Sequence, residues 1–375
     1  MQSTIDLDNN ATTPVLPEVA EAVLEAMAPQ IGNPSSGHRH GHAARQLVEQ
    51  ARESVAAMLG TEPDRIVFTS GATEGNDAVL RSQFGRALHS VQGSHPSLVG
   101  DRGRSATAIP IDRSGCIDLD ALKLTLDGAP PSLIAVAMAN GETGVVQPVA
   151  KLCEIARKAH AITLVDVAQA VGRVPYAAFA IGADYMTVSA HKMNGPKGVG
   201  CLVIGPDADV PLLATGGGQE GGRRSGTENV SGIAGFGAAC RHRLASLDID
   251  LARMATLRDR LEGLLIGELP EAWVNSRDAK RVVTTTSLTI PDVDGMALVA
   301  RLDAAGVLCS QVSACSTGRP EPSATLLAMG LSEADAFSTI RLSVGVQTTS
   351  DEVERAAKMI ADEARFLRAV MGGVA

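Results

Sequence analysis

Aromatic side chains are scarce in this chain: one Trp, two Tyr and six Phe among 375 residues. A core of the size that a 45% hydrophobic composition allows must therefore be packed from Ala, Val, Leu and Ile. No uninterrupted apolar stretch is long enough to span a bilayer. The opening Met1-Gln2-Ser3-Thr4-Ile5-Asp6 lacks the apolar segment of a secretory signal. The six cysteines, Cys116, Cys153, Cys201, Cys240, Cys309 and Cys315, form no CxxC pair. That scatter argues against a disulfide framework or a zinc site and favours reduced thiols. A cytoplasmic protein with no bound metal is expected. Positive charge is not in excess either. The formal net charge of −9 argues against direct nucleic-acid binding, and no membrane partner is expected.

Glycine, by contrast, is plentiful at 38 residues, as many tight strand-to-helix turns require. Amphipathic spacing predicts helices over Glu18 to Met27, Ala43 to Leu59, Asn76 to Arg86 and Val149 to His160. Short apolar runs predict strands at Ile66 to Thr69, Ser132 to Ala139, Ala161 to Val165, Tyr185 to Ser189 and Gly200 to Ile204. Strands alternating with helices imply an α/β fold whose mainly parallel sheet is covered on both faces. Gly216 to Thr227 is too glycine-rich for a core element and reads as a functional loop. Helix is expected from Ile233 to Leu265, with a break around Asp248. Beyond Trp273 come a strand at Ser287 to Ile290, a helix at Met296 to Ala305 and a terminal helix from Asp351. Those elements suggest a smaller α+β C-terminal domain. The expected division is a large domain over 15–245 and a small one formed by 1–14 plus 246–375.

Chemistry-bearing residues sit at the ends of these elements. Asp166 closes one strand, and Lys192 follows another in Ser189-Ala190-His191-Lys192. An acid and a lysine so placed suit pyridoxal 5'-phosphate (PLP): the amine holds the aldehyde as a Schiff base, and the carboxylate keeps the pyridinium nitrogen protonated. Taken singly, they would be a strand-end acid and a surface lysine. Ser70-Gly71-Ala72-Thr73 joins a strand to a helix, where backbone N–H groups and a hydroxyl bind phosphate or simply cap the helix. Gln169 could reach the cofactor's phenolic oxygen, and Ser189 and His191 could hold phosphate. Cys315 lies among small polar residues in Ser313-Ala314-Cys315-Ser316-Thr317-Gly318, as a thiol presented by an exposed loop would, or as one free cysteine among six. Cys309, ending an apolar run, is assigned to packing. Arg341, beside an apolar position in an expected strand, suits a substrate carboxylate or a protein salt bridge. His95, in Gly93-Ser94-His95-Pro96, could stack on the cofactor and shuttle protons.

The order of these motifs resembles the NifS/IscS-like cysteine desulfurases, a branch of the class V aminotransferases within the fold-type I PLP-dependent enzymes. The resemblance runs nearly end to end. It includes Leu7-Asp8-Asn9-Asn10-Ala11-Thr12-Thr13-Pro14, Gly32-Asn33-Pro34-Ser35-Ser36 and Phe68-Thr69-Ser70-Gly71-Ala72-Thr73-Glu74. It continues through Glu142-Thr143-Gly144, Asp166-Val167-Ala168-Gln169, His191-Lys192, Arg224-Ser225-Gly226-Thr227, Ser313-Ala314-Cys315 and Ile340-Arg341. The resemblance implies that Lys192 carries PLP, Asp166 pairs with the ring nitrogen, Gln169 with the ring oxygen, and His95 stacks on the ring. It implies phosphate binding by Ala72, Thr73, Ser189 and His191, with Thr227 reaching the phosphate of the neighbouring subunit in a homodimer. Arg341, Asn140 and Asn33 would contact L-cysteine, and Cys315 would take its sulfur as a persulfide for an acceptor protein, in iron–sulfur cluster assembly or another sulfur-transfer pathway. Selenocysteine lyase, another PLP-dependent reaction on a cysteine-like substrate, or an inactive partner subunit are the alternatives. Three departures stand out. The family's Asn-Asn-Glu is here Asn140-Gly141-Glu142, the stretch from Leu80 to Ile111 is short, and the C-terminus lacks an aromatic tail.

Overall fold

The structure is a computed structural model and describes residues 4–100, 106–175, 179–311 and 321–372. Its main sheet has seven strands. In spatial order they are Ile66–Thr69, Gly200–Ile204, Tyr185–Ser189, Ile162–Asp166, Ser132–Ala137, Ala87–Val91 and Thr107–Ile109. Gly200–Ile204 runs antiparallel to both neighbours, and the other pairings are parallel. The fold class is thus α/β, as the alternating pattern implies. The central strands are buried almost throughout, so they read as continuous apolar runs rather than alternating ones. The strands Ala87–Val91 and Thr107–Ile109 escape the sequence pattern. The first buries His89 and Ser90, two residues that carry no strand signal. Its predecessor helix covers Ala72–Ser82, earlier than the spacing suggested.

The parallel arrangement decides where chemistry can occur. Six of the seven strands point the same way, so their carboxyl ends open on one edge of the sheet. The segments that follow those ends carry Gly71 to Thr73, His95, Asn140, Asp166 and His191-Lys192. In open α/β sheets, ligands bind outside the carboxyl ends of the strands.

A second hydrophobic cluster lies around a four-stranded antiparallel sheet of Ser310–Gln311, Thr339–Ser343, Thr285–Thr289 and Trp273–Val274. The helices Gly295–Ala305 and Ser350–Gly372 cover it. The helix Val230–Glu268 joins the two clusters. Ile233, Phe236 and Cys240 of its first half belong to the main core, and Leu251, Leu257 and Leu265 of its second half to the smaller one. Its 39 residues run unbroken, about 58 Å at 1.5 Å per residue. The break expected near Asp248 is therefore a misreading. Asp248 is exposed, the surrounding turns hold no glycine or proline, and an aspartate costs a helix well under ~1 kcal/mol. Asp250 reinforces this stretch, accepting from Arg243 Nη1 at 2.6 Å and Ser246 Oγ at 2.7 Å. Among the described residues no helix is long and apolar enough to cross a membrane.

The long helix is tied to the small sheet by a buried ion pair. Glu262 accepts from Arg281 Nη1 at 2.7 Å and from Thr286 Oγ1 at 2.9 Å, with both charged side chains about 95% out of solvent. Removing one partner of such a pair strands the other charge. Glu262→Ala is expected to lower unfolding free energy by about 3–5 kcal/mol in urea denaturation. A loss under ~1 kcal/mol would show that Arg281 finds water instead.

Candidate active site

The site assembles around the N-terminal segment, which crosses the carboxyl edge of the main sheet. The carbonyl oxygen of Asn10 accepts from Lys192 Nζ at 2.8 Å and from Gln169 Nε2 at 3.0 Å. Two side chains placed by different strand ends thus converge on one atom. The Asn10 side chain reaches further, donating from Nδ2 to Gly141 O at 3.1 Å and Thr285 Oγ1 at 2.9 Å.

Asp166 ends its strand between Ala137 and Thr187 of the flanking strands. Its carboxylate is fixed at both oxygens. Oδ1 accepts from Ala168 N at 2.9 Å and Oδ2 from Asn76 Nδ2 at 2.9 Å. Asn76 is fully buried, and its Oδ1 accepts in turn from Thr187 Oγ1 at 2.7 Å. The same Asn76 amide reaches Ser97 Oγ at 3.0 Å, and Ser97 Oγ lies 2.8 Å from His95 Nδ1. Ser97 N–H also donates to His95 Nδ1 at 3.2 Å. Nδ1 is therefore an acceptor, and a neutral ring carries its proton on Nε2. His95 is open to solvent on one side, and desolvation of the other lowers its pKa. Asp166 pulls the other way, and Lys192 adds to the lowering.

The Lys192 amine gives up its proton more readily than an ordinary lysine. Burial, then the nearby Arg173 and Arg341, lower its pKa to about 8, against the opposing pull of Asp166 and Asp8. His191 is pushed down to about 4 by burial and by Lys192, Lys197 and Arg173. It is neutral at pH 7 and acts as a hydrogen-bonding group rather than a cation. Ser189 Oγ accepts from Ala72 N at 2.9 Å. The Ala72 amide is thus committed within the chain, while the hydroxyl hydrogen of Ser189 remains to donate. Thr73 is exposed in the first turn of Ala72–Ser82, and the N-cap Gly71 offers that turn no side-chain cap. Together these groups can hold a phosphate-bearing aldehyde: a deprotonable amine, an oriented carboxylate, and hydroxyl and imidazole donors beside a helix N-terminus.

Arg341 lies in the strand Thr339–Ser343 and donates from Nη1 to Gly141 O at 3.1 Å and from Nη2 to Asp8 Oδ1 at 2.8 Å. The salt bridge foreseen as the alternative for Arg341 is therefore present. Its Nε is nonetheless buried without a partner among the described residues. Asn140 spends its Oδ1 on its own turn, accepting from Glu142 N at 2.8 Å and Thr143 N at 2.9 Å. Asn33 is exposed, and its Oδ1 accepts from Ser35 N at 2.9 Å in its own loop. Thr227 is also exposed, on the glycine-rich loop. Neither Asn33 nor Thr227 is joined to the Lys192 cluster by a hydrogen bond among the described residues. Cys315 falls outside the described residues. Both described flanks of its segment border the site. Ser310 pairs with Arg341 in the small sheet, and Ser323 Oγ donates to Glu142. Gly93, two residues before His95, has φ +79, and a Cβ there would lie 2.6 Å from Thr325 N. Only glycine lets the histidine turn meet the helix Ala324–Ala328 so closely. Cys309 is half-buried against the small core, as its assignment to packing requires.

Asn10, Asn76, Glu142 and Arg173 were not singled out from sequence. Asn10 lay in view within the Leu7 to Pro14 motif, and Arg173 sits four residues beyond Gln169 after Gly172.

The chain matches the family described as aminotransferase class-V over residues 5–356. It belongs to that family. Over 379 aligned positions it is 37% identical to a protein of Trichormus azollae named cysteine desulfurase, covering 98% of this chain and 94% of the relative. A NifS-like protein from Rickettsia africae superimposes with a TM-score of 0.89 at 31% identity, covering 96% of this chain and 99% of that one. A structure described as SspA in complex with cysteine gives a TM-score of 0.76 at 28% identity, covering 92% of this chain and 100% of that one.

Glu142 supplies a pH-sensitive joint beside Arg341. Burial raises its carboxyl pKa to about 7, although Ser323, Thr325 and Arg341 all pull it down. The folded state thus holds this proton more tightly than the unfolded chain, whose glutamate titrates near 4.5. Its contribution to stability is full below pH 4.5 and is lost as pH rises to about 7. Glu142→Gln mimics the protonated acid. The variant is expected to gain about 1–3 kcal/mol over wild type between pH 4.5 and 7.5 in denaturation midpoints. Parallel pH profiles for the two proteins would refute the assignment.

Proposed function

We propose that the protein is a PLP-dependent L-cysteine desulfurase that releases L-alanine and carries the sulfur as a persulfide on Cys315. The observation that carries this reading is the convergence of Lys192 Nζ and Gln169 Nε2 on Asn10 O. The doubly held Asp166 carboxylate stands nearby, with the unpaired Arg341 Nε at the edge. The residues fit the cofactor. Burial first, then Lys192, Lys197 and Arg173 at His191 and Arg173 and Arg341 at Lys192, lower the proton affinity here against the pull of Asp166 and Asp8 on the amine, which leaves a surplus of positive charge. A phosphate dianion and a substrate carboxylate would relieve it. Lys192 would hold the cofactor covalently, Asp166 its ring nitrogen and Gln169 its ring oxygen, with His95 against the ring. Thr73, Ser189 and His191 would hold the phosphate. Bound PLP supplies an electron sink for the pair left at the substrate carbon.

The chain's own groups do the rest. Arg341 orients the substrate carboxylate through its Nε, which has no partner among the described residues. The Cys315 thiolate attacks the substrate sulfur: an S–S bond forms, the C–S bond breaks, and its electron pair stays with carbon. Protonation of that carbon gives alanine, so no external oxidant is needed. Lys192 Nζ and His95 Nε2 are the groups available to move those protons. Four other cysteines are poor candidates for the attack. Burial pushes the thiols of Cys153 to about 11 and Cys309 to about 12, and raises Cys201 and Cys240 further.

Other parts of the reading concern partners and organisation. A cavity of about 780 Å³ lies away from Lys192, lined by Arg45, Arg52, Glu220 and Arg223 beside the loop that carries Thr227. A second copy of the chain would cover this face and receive Thr227 at its own phosphate site. The two hydrophobic clusters support a division into 15–245 and 1–14 plus 246–375. The persulfide would pass to a thiol-bearing acceptor protein, in a cytoplasmic setting.

The test is the PLP-loaded protein with L-cysteine and a thiol reductant, measuring alanine and sulfide together. Equal amounts from wild type, falling at least about 100-fold in Cys315→Ala, are expected for loss of a covalent nucleophile. Wild-type alanine formation by Cys315→Ala would rule out the persulfide route.

A further inference from the structure

Arg173 is buried at 4% exposure and, among the described residues, has no carboxylate partner. Other arginines with little exposed side chain are paired: Arg243 with Asp250, Arg281 with Glu262, Arg52 with Glu220. All four acceptors of Arg173 are neutral, and each belongs to the site. Nη1 donates to Asn10 Oδ1 at 2.7 Å and to Gln169 Oε1. Nη2 donates to Asn9 O at 2.7 Å and Lys192 O at 3.3 Å. The guanidinium has donors only, so the contact to Gln169 fixes which end of that amide is oxygen. The amide nitrogen must then face Asn10 O and the space beside Gly141, where a Cβ would stand 3.2 Å from it.

We propose that Arg173 is a positioning residue: its anion-free guanidinium locks Gln169 as a hydrogen-bond donor toward the cofactor's ring oxygen and sets a positive potential on Lys192. The proposal rests on the reading of this site as a PLP site. A buried positive charge beside an amine favours the neutral, nucleophilic amine. Burial, Arg341 and Arg243 lower the Arg173 pKa to about 9, so the guanidinium stays charged at neutral pH. The other charged or titratable groups facing Lys192 are Arg341, Asp166, Asp8, His95 and His191. Asp166 and Asp8 oppose Arg173 and Arg341 at the amine.

The experiment begins on the cofactor-free protein. Acetic anhydride labels amines only when they are unprotonated, and peptide mass spectrometry reads Lys192 separately from the exposed Lys123. The labelling midpoint of Lys192 is expected near pH 8, well below the ordinary lysine value of 10.5. Arg173→Gln should raise it by about one pH unit, a tenfold change in proton affinity. Arg173→Lys, which keeps the charge, should leave it at the wild-type pH. An unchanged midpoint in Arg173→Gln, or an equal shift in Arg173→Lys, would overturn the electrostatic role. So would a wild-type Lys192 that labels at the pH of Lys123, a measurement that needs no variant to fold. With PLP bound, both variants lose the Nη1 contact to Gln169 Oε1, and the visible absorbance maximum should move in both. An unmoved maximum in both would overturn the clamp. Should wild type take up no PLP, the site reading fails while the labelling result on Arg173 still stands.

Discussion

A single buried carbonyl organises the site. Asn10 O sits between the main sheet and the small one and takes hydrogen bonds from Lys192 Nζ and Gln169 Nε2. Buried carbonyls demand partners, and those near a functional site are satisfied by whatever the fold delivers there. Here the fold delivers two side chains from different strand ends. The segment around Asn10 is held from below by Ser343 Oγ, which accepts from Asn10 N at 2.9 Å, and from the side by Thr285. Ser343 and Thr285 belong to the small sheet, whereas Lys192 and Gln169 follow strands of the large one. The N-terminal segment therefore registers one sheet against the other, and a shift between them would be felt first at Lys192.

The second constraint is charge. Lys192, Arg173 and Arg341 are drawn together; of the carboxylates in reach, Asp8 pairs with Arg341, and Asp166 is held by Asn76 and the Ala168 amide. Unpaired buried charge costs about 3–5 kcal/mol in other proteins, so the site is held open against its own repulsion by the surrounding core. Such preorganisation is useful only if an anion arrives. A ligand bearing both a phosphate and, later, a substrate carboxylate would meet donors that need not reorganise. It would also stabilise the fold by mass action. The same reasoning explains the histidines. His191 and His95 are both kept neutral near pH 7 by this environment, so they act as donors and proton carriers rather than adding to the cationic load.

Much of this was legible in the sequence because it follows from strand ends. A parallel sheet puts the residue after each strand on one edge, so Asp166, Lys192 and the Gly71 turn could be placed together from their position in the chain alone. Residues whose role is to hold others were not legible. Asn76 reads as an ordinary helix-start amide, and only the register of Asp166 beside Thr187 turns it toward the carboxylate. Arg173, four residues beyond Gln169, carries no local signal of burial. Its burial depends on a segment more than 160 positions away in sequence. The continuous Val230–Glu268 helix was misjudged for a related reason. A break was expected around Asp248, while packing of the two halves against different cores keeps the helix continuous through it.

Gly141 shows how these constraints fit together. Where the resembling family places a second asparagine, this chain has no side chain, yet the backbone oxygen of Gly141 still accepts from Asn10 Nδ2 and Arg341 Nη1. That backbone role does not depend on what the residue carries. A side chain there would begin 3.2 Å from Gln169 Nε2, closer than an unhindered contact. In a looser site the glutamine would swing aside. Here it cannot swing freely, because Arg173 holds its oxygen and Asn10 its nitrogen. The glycine and the arginine are therefore a matched pair: one keeps the space beside the amide clear, and the other points the amide into it.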